Sequence, residues 1–125
     1  MSPGESPYKG KTGLKRVWAA FFYSLEGFEA AWKHEDAFRQ EALLAGVLIP
    51  LAFFLCDAAL GRALMIASVF LVLIVELINS AIEATVDRIS LENHQLAKRA
   101  KDIGSAAVLI ALIDVVVVWG LVLFS

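Results

Sequence analysis

Three long apolar blocks decide what this chain can become. They run from Ala42 to Cys56, from Ala63 to Val75 with an interrupted continuation to Val86, and from Ile103 to Phe124. A helix needs roughly 20 residues, at 1.5 Å rise each, to cross a hydrocarbon layer of about 30 Å. The third block meets that length. The second meets it if Glu76 and Glu83 are accepted in or near the bilayer, and the first by borrowing Ala37 to Glu41. Pro50 inside the first block is tolerable in a membrane helix, where neighbouring groups can satisfy the carbonyl it frees. A soluble helical core is the competing reading, but 59% of the 125 residues are hydrophobic and 19% charged. Too few polar residues remain to cover such helices in water. Three Pro and eight Gly leave little for a turn-rich β design. The expected class is an all-α membrane protein of one domain.

Charge narrows the function. Eleven Lys and Arg stand against 13 Asp and Glu. That balance excludes a nucleic-acid binder driven by bulk positive charge, so no nucleic-acid partner is expected. A single Cys excludes an intrachain disulfide framework and a cysteine zinc site. The basic residues are unevenly placed. Lys9, Lys11, Lys15, Arg16, Lys33 and Arg39 precede the first span. Arg88, Lys98, Arg99 and Lys101 lie between the second and third, and Arg62 alone lies between the first two. The positive-inside rule then puts the N-terminus and the second loop in the cytoplasm, with the 57–62 turn and the C-terminus outward.

Ahead of the first span, Leu14, Val17, Trp18, Phe21, Phe22, Leu25, Phe28 and Trp32 recur at helical spacing. An aromatic stripe flanked by basic residues suits a helix in the headgroup plane; docking on the bundle is the plainer alternative. The expected layout is a disordered N-terminus over 1–13 and a surface helix over 14–34. Transmembrane helices follow over 36–57, 62–89 (with a cytoplasmic extension) and 100–124. Trp32 and Trp119 read as interface anchors, and Cys56 as a small apolar filler.

The second span carries residues that hydrocarbon disfavours. A charge at mid-span costs roughly 2.5–3.5 kcal/mol on insertion scales. Yet Glu76, Asn79, Ser80, Glu83 and Asp87 fall on one arc of about 100° when each residue turns the helix by 100°. With Arg62 at the outer boundary, Glu83 lies near the cytoplasmic interface and Glu76 about 10 Å deeper. The outer half, Ala63 to Val75, offers only Ser68. A stripe that enters and stops suits a lipid headgroup better than a transport path. Glu35, Asp36, Arg39, Gln40 and Glu41 open the first span at the same level, and Lys101, Asp102 and Ser105 open the third. An ion-pair knot that merely orients the bundle is the structural alternative. The functional one is chemistry on phosphate. Mg²⁺ is usually held by one or two carboxylates plus phosphate oxygens, and phosphoryl transfer needs positioning and a group that handles the acceptor hydroxyl. No nucleotide motif of the common kinds is present; Gly10-Lys11-Thr12 lacks the P-loop spacing.

The run Glu76-Leu-Ile-Asn-Ser-Ala-Ile-Glu-Ala-Thr-Val-Asp-Arg88 resembles the signature ExxNSAIExxxD of the prokaryotic integral-membrane diacylglycerol kinases. Ala30-Ala-Trp32, Ala37-Phe-Arg-Gln-Glu41 and Arg99 to Ile110 resemble the same family, and the resemblance covers roughly 14–124. It favours the Gram-negative diacylglycerol branch over the undecaprenol-kinase branch. It implies a homotrimeric bundle with active sites shared between subunits, in the bacterial inner membrane. The implied reaction moves the γ-phosphate of MgATP to diacylglycerol, giving phosphatidic acid.

By position, the resemblance makes Glu76 the catalytic base and Glu35 and Glu83 the Mg²⁺ ligands. Nucleotide contacts fall to Arg16, Tyr23, Glu35, Glu83, Glu92, Asn93, His94, Lys101 and Asp102. Lipid contacts fall to Arg16, Ala20, Phe21, Ser24, Ala30, Trp32, Phe38, Arg39, Gln40, Glu41, Glu76, Ser105 and Trp119, with Asn79, Ser80 and Asp87 in support. Phe21, Phe22, Leu25 and Glu26 depart from the family pattern on the surface helix. Asp114 departs from it inside the third span, where it is expected either to pair in the trimer core or to be carried as the acid. Undecaprenol kinase is the nearest rival function, and a small proton-coupled transporter the rival from another class.

Overall fold

The computed structural model describes residues 12–89 and 94–125. Among them every regular element is an α-helix: α1 (Gly13–His34), α2 (Asp36–Leu55), α3 (Ala59–Ile89) and α4 (His94–Phe124). Three of these are long and apolar enough to cross a membrane, over Asp36–Leu55, Ala59–Ile89 and Gln95–Phe124. The chain is a multi-pass membrane protein by that measure.

α1 begins at Gly13, whose φ of 59° is a left-handed value that glycine adopts without a Cβ clash. It runs unbroken through Gly27 and ends where Glu35 turns extended, with φ −120° and ψ 105°. Glu35 is both the last cap of α1 and the first of α2, so the bend is one residue long. A helix end leaves carbonyls without donors. Here Arg39 supplies them: its Nη1 donates to the Trp32 carbonyl at 2.6 Å and to that of Lys33 at 3.1 Å, while its Nη2 pairs with Asp36.

Arg62 does the same service at the α2–α3 corner. Its Nε donates to the Cys56 carbonyl at 3.1 Å and its Nη2 to that of Asp57 at 3.3 Å, and its guanidinium sits 4.9 Å from the Phe53 ring centre. The second helix therefore stops at Leu55 and the third starts at Ala59, three residues earlier than the basic residue that marks the boundary in sequence. The fourth starts at His94, not at 100, because Gln95-Leu-Ala-Lys-Arg-Ala100 are all good helix formers.

α3 is the central helix, packed on both α4 and α2. The core gathers Ala45, Ala52, Cys56, Met65, Val69 and Trp119. Cys56 is indeed a buried filler there. Trp119 is not an interface anchor. It is 9% exposed, and its indole N–H donates to the Met65 carbonyl at 3.1 Å, which locks α4 onto α3. The outer faces of α2 and α4 present Leu43, Val47, Phe54, Leu109, Ile110, Val116 and Leu121 to the surroundings.

Candidate active site

The polar stripe of α3 folds as its period demands and turns inward. Glu76 is 4% exposed, Asn79 7% and Ser80 8%, while Glu83 is half-buried and Asp87 exposed. Burial thus grades smoothly from the open end of the helix to Glu76. Glu76 and Glu83 share a face. The charges of Glu83 and of Glu35 act on the Glu76 carboxyl, and that of Glu76 acts on Glu41. Four carboxyl groups from three elements therefore form one electrostatic cluster.

Asn79 stands between the two α3 acids. Its Nδ2 donates to Glu83 Oε1 at 3.3 Å. Its Oδ1 points at Gly104 of α4, where a Cβ could not stand without overlapping it. Asn79 Oδ1, Ser80 Oγ and Glu41 Oε2 are buried with no hydrogen-bond partner among the described residues. Each such atom costs about 1–3 kcal/mol. All three lie near Glu76, which makes this the polar part of an otherwise apolar bundle.

A cleft of about 580 Å³ opens between α1 and α3 beside these groups. Ser24, Gly27, Phe28, Ala30, Ala31, His34 and Glu35 line one wall, and Leu77, Ser80, Ala81 and Ala84 the other. Small residues on both walls keep it open, and its lining is mainly apolar, with Ser24, His34, Glu35 and Ser80 at polar points. An acyl chain fits that chemistry.

The expected site residues divide into groups. Glu35, Glu41, Glu76, Glu83, Asn79 and Ser80 come together, and Ser24 and Ala30 face the same cleft. Lys101 Nζ reaches across to Asp87 at 2.5 Å and closes the open end of the stripe, while Asp102 pairs with Lys98 at 2.6 Å on α4. Phe38 is buried, Gln40 and Ser105 are exposed, and Arg39 is committed to the α1–α2 bend. Trp119 lies in the α3–α4 core beside Met65, not at the carboxylates. Arg16, Ala20, Phe21 and Tyr23 lie on the part of α1 before the cleft, and Trp32 is exposed near its end. Glu92 and Asn93 lie outside the described residues, as does the side chain of His94.

Gly104 and the cleft residues Phe28, Leu77, Ala81 and Ala84 were missing from the sequence-derived site. The small residues at Ala81 and Ala84, one turn apart, are the signal for close approach on that face.

No three Asp, Glu, His or Cys side chains among the described residues form a ready metal cage. Mg²⁺ does not need one, since it commonly takes one or two carboxylates and completes its shell with phosphate oxygens and water. The oxygen donors of Glu35 and Glu83 fit that demand.

The prokaryotic diacylglycerol kinase family model matches residues 22–123. Among similar proteins, a diacylglycerol kinase of Pseudomonas aeruginosa is 60% identical over 125 residues, covering all of both chains. One from Haemophilus influenzae is 53% identical over 113 residues, 90% of this chain and 96% of its own length. One from Escherichia coli strain K12 is 52% identical over 114 residues, 91% and 93% of the two chains. With its stripe of acids on α3 and its near full-length match, the chain belongs to the prokaryotic diacylglycerol kinase family.

Proposed function

We propose that this chain transfers the γ-phosphate of ATP to the free hydroxyl of diacylglycerol, giving phosphatidic acid and ADP, at the cytoplasmic face of the bacterial inner membrane. Membership of the family and relatives named diacylglycerol kinase support the reaction. The same names favour diacylglycerol over undecaprenol as acceptor. The observation that carries the reading is the placement of Glu76: buried, on one face with Glu83, within the electrostatic reach of Glu35, and next to an apolar cleft.

The chemistry follows from the residues. The lipid hydroxyl oxygen attacks the γ-phosphorus, the bond to the ADP oxygen breaks, and the hydroxyl proton passes to the Glu76 carboxylate. A base at that point contributes typically 10²–10⁴-fold. Glu35 and Glu83 would hold Mg²⁺, which supplies charge neutralisation on the phosphates when bound. Asn79 holds Glu83 in place through its carboxamide. Lys101 is positioned at the mouth of the stripe, where it can exchange Asp87 for a nucleotide phosphate.

The aromatic face of α1, with Trp18, Phe21 and Phe22 in mutual ring contact and all exposed, suits the headgroup layer. The distribution of Lys and Arg favours the N-terminus and the α3–α4 connection in the cytoplasm and the C-terminus outside. The unpartnered polar atoms around Glu76 favour a homotrimer whose sites are completed between subunits.

Purified protein in mixed micelles, given radiolabelled ATP, Mg²⁺ and diacylglycerol, tests the reading. Label is expected in phosphatidic acid only when all three are present. With undecaprenol supplied as well, label in undecaprenyl phosphate but not in phosphatidic acid would move the chain to the other branch. Ion flux in liposomes without phosphate transfer would replace the kinase with a transporter.

A further inference from the structure

A second apolar space lies beside the acid cluster. It is a crevice of about 310 Å³ between three helices, lined by Leu44 and Leu48 of α2, Val69 and Val72 of α3, and Leu112 and Val116 of α4. It shares no lining residue with the α1–α3 cleft. Glu41 is its one polar lining residue among those described, and the Oε2 of that carboxyl is buried without a hydrogen-bond partner there. Glu41, Leu44 and Leu48 follow one another at i, i+3 and i+7 on one face of α2. The acid therefore stands at one end of that wall, and apolar side chains make up the rest.

The direction of the crevice follows from α3. Val72 lies about 40° to one side of Glu76 round the helix and Val69 about 20° to the other, so the three share a face. Val72 stands about 6 Å along the axis from Glu76 and Val69 about 10 Å, both on the side away from Glu83. Glu76 thus has the proposed metal-holding acid on one side and the crevice on the other. Its charge also acts on Glu41, which joins the polar end of the crevice to the proposed base. An alcohol whose oxygen meets Glu76, with the phosphate donor at Glu83, has the crevice open to its tail.

We propose that this crevice is an acyl-chain subsite of the lipid acceptor, holding one fatty chain of diacylglycerol between α2, α3 and α4, with Glu41 at its head. The inference rests on the acceptor reading put forward above, and it adds where a tail of that acceptor lies. Continuity with the acid cluster is what selects the acceptor as occupant. A bystander lipid has no group that must reach a buried carboxyl, whereas the acceptor hydroxyl must reach Glu76 to react. Below Glu41 the Leu and Val walls offer a chain only packing contacts, so the subsite discriminates by the bulk of the chain.

The test narrows the crevice from two walls. Leu44→Trp and Val116→Trp add bulk at its rim, where both residues are exposed, without displacing the buried core. Leu43→Trp and Val117→Trp are the matched controls, since these neighbours are exposed but do not line the crevice. In mixed micelles the first pair is expected to raise the KM for dioctanoylglycerol about tenfold, the scale of overpacking, and the second pair to stay within about twofold. The KM for ATP should not move in any of the four. The parent protein supplies a second measurement, which needs no variant to fold. A diacylglycerol with a diazirine at the end of one chain, irradiated without ATP, should label Leu48 or Leu112, and excess dioctanoylglycerol should suppress that label. Equal KM values in rim variants and controls, or label confined to outward residues such as Phe54 and Leu109, would overturn the subsite while leaving the kinase standing. Rim variants that lose the oligomer but keep the parent KM would mean that another copy covers the crevice, which also overturns it. A parent that transfers no phosphate to diacylglycerol would remove the acceptor reading, and the subsite with it.

Discussion

Gly104 of α4 lies so close to the Asn79 carboxamide of α3 that no methyl group fits between them. The same carboxamide donates to Glu83. A glycine on the neighbouring helix therefore sets the position of an acid in the stripe. Gly104→Ala is expected to cost about 1–3 kcal/mol, as overpacking does. It should also lower kcat by moving Asn79 away from Glu83. Gly120→Ala on the same helix is the control: it meets nothing within 4 Å and should stabilise α4 by up to about 1 kcal/mol. Thermal denaturation and turnover of both variants check this, and equal behaviour of the two would count against the close contact.

Glu76→Gln keeps the shape of the side chain and removes its ability to accept the hydroxyl proton. Expression, helicity and oligomer formation should be unchanged, and kcat should fall by about 10² or more. Normal turnover by this variant would take the base role away from Glu76.

Glu83→Ala and Glu35→Ala address the metal. Each should raise the Mg²⁺ concentration needed for half-maximal activity while changing the KM for diacylglycerol much less. A metal titration superimposable on that of the parent would remove the residue from the donor set.

Lys101 and Asp87 form an ion pair across α3 and α4. If Lys101 exchanges this partner for a phosphate, Lys101→Met should raise the KM for ATP by about tenfold, the scale of a charge-assisted hydrogen bond. Asp87→Asn should raise it far less. Equal effects from the two variants would mean that the pair only fastens the helices together.

Trp119→Phe deletes the indole N–H while leaving most of the ring volume. It should cost about 1 kcal/mol, the net worth of one hydrogen bond. The KM for diacylglycerol should stay as it was. A selective rise in that KM would return Trp119 to the lipid site despite its place beside Met65.

The stripe on α3 is plain in the chain because a period of 3.6 residues leaves five polar groups on one arc, and hydrocarbon makes each of them conspicuous. The acids at 35 and 41 are equally visible, since they open an apolar run. What stays hidden depends on the rotation of one helix against another. Nothing local shows that Gly104 meets Asn79, or that the Lys101 ammonium turns to Asp87. Trp119 illustrates the limit well. A Trp near the end of a span serves equally as a headgroup anchor or as core, and only the packing of α4 on α3 distinguishes them. Arg39 is a second case. A cation among acids gives no local sign that it also bonds the carbonyls ending α1.

That bonding by Arg39 reaches beyond the bend. Glu35 is the one residue between α1 and α2, and its charge also acts on the Glu76 carboxyl. With the Trp32 and Lys33 carbonyls of α1 held by the guanidinium of Arg39 on α2, a tilt of α1 would carry Glu35 with it. If Glu35 holds the metal as proposed, a lipid that wedges α1 open would lose turnover at the chemical step rather than merely bind less tightly.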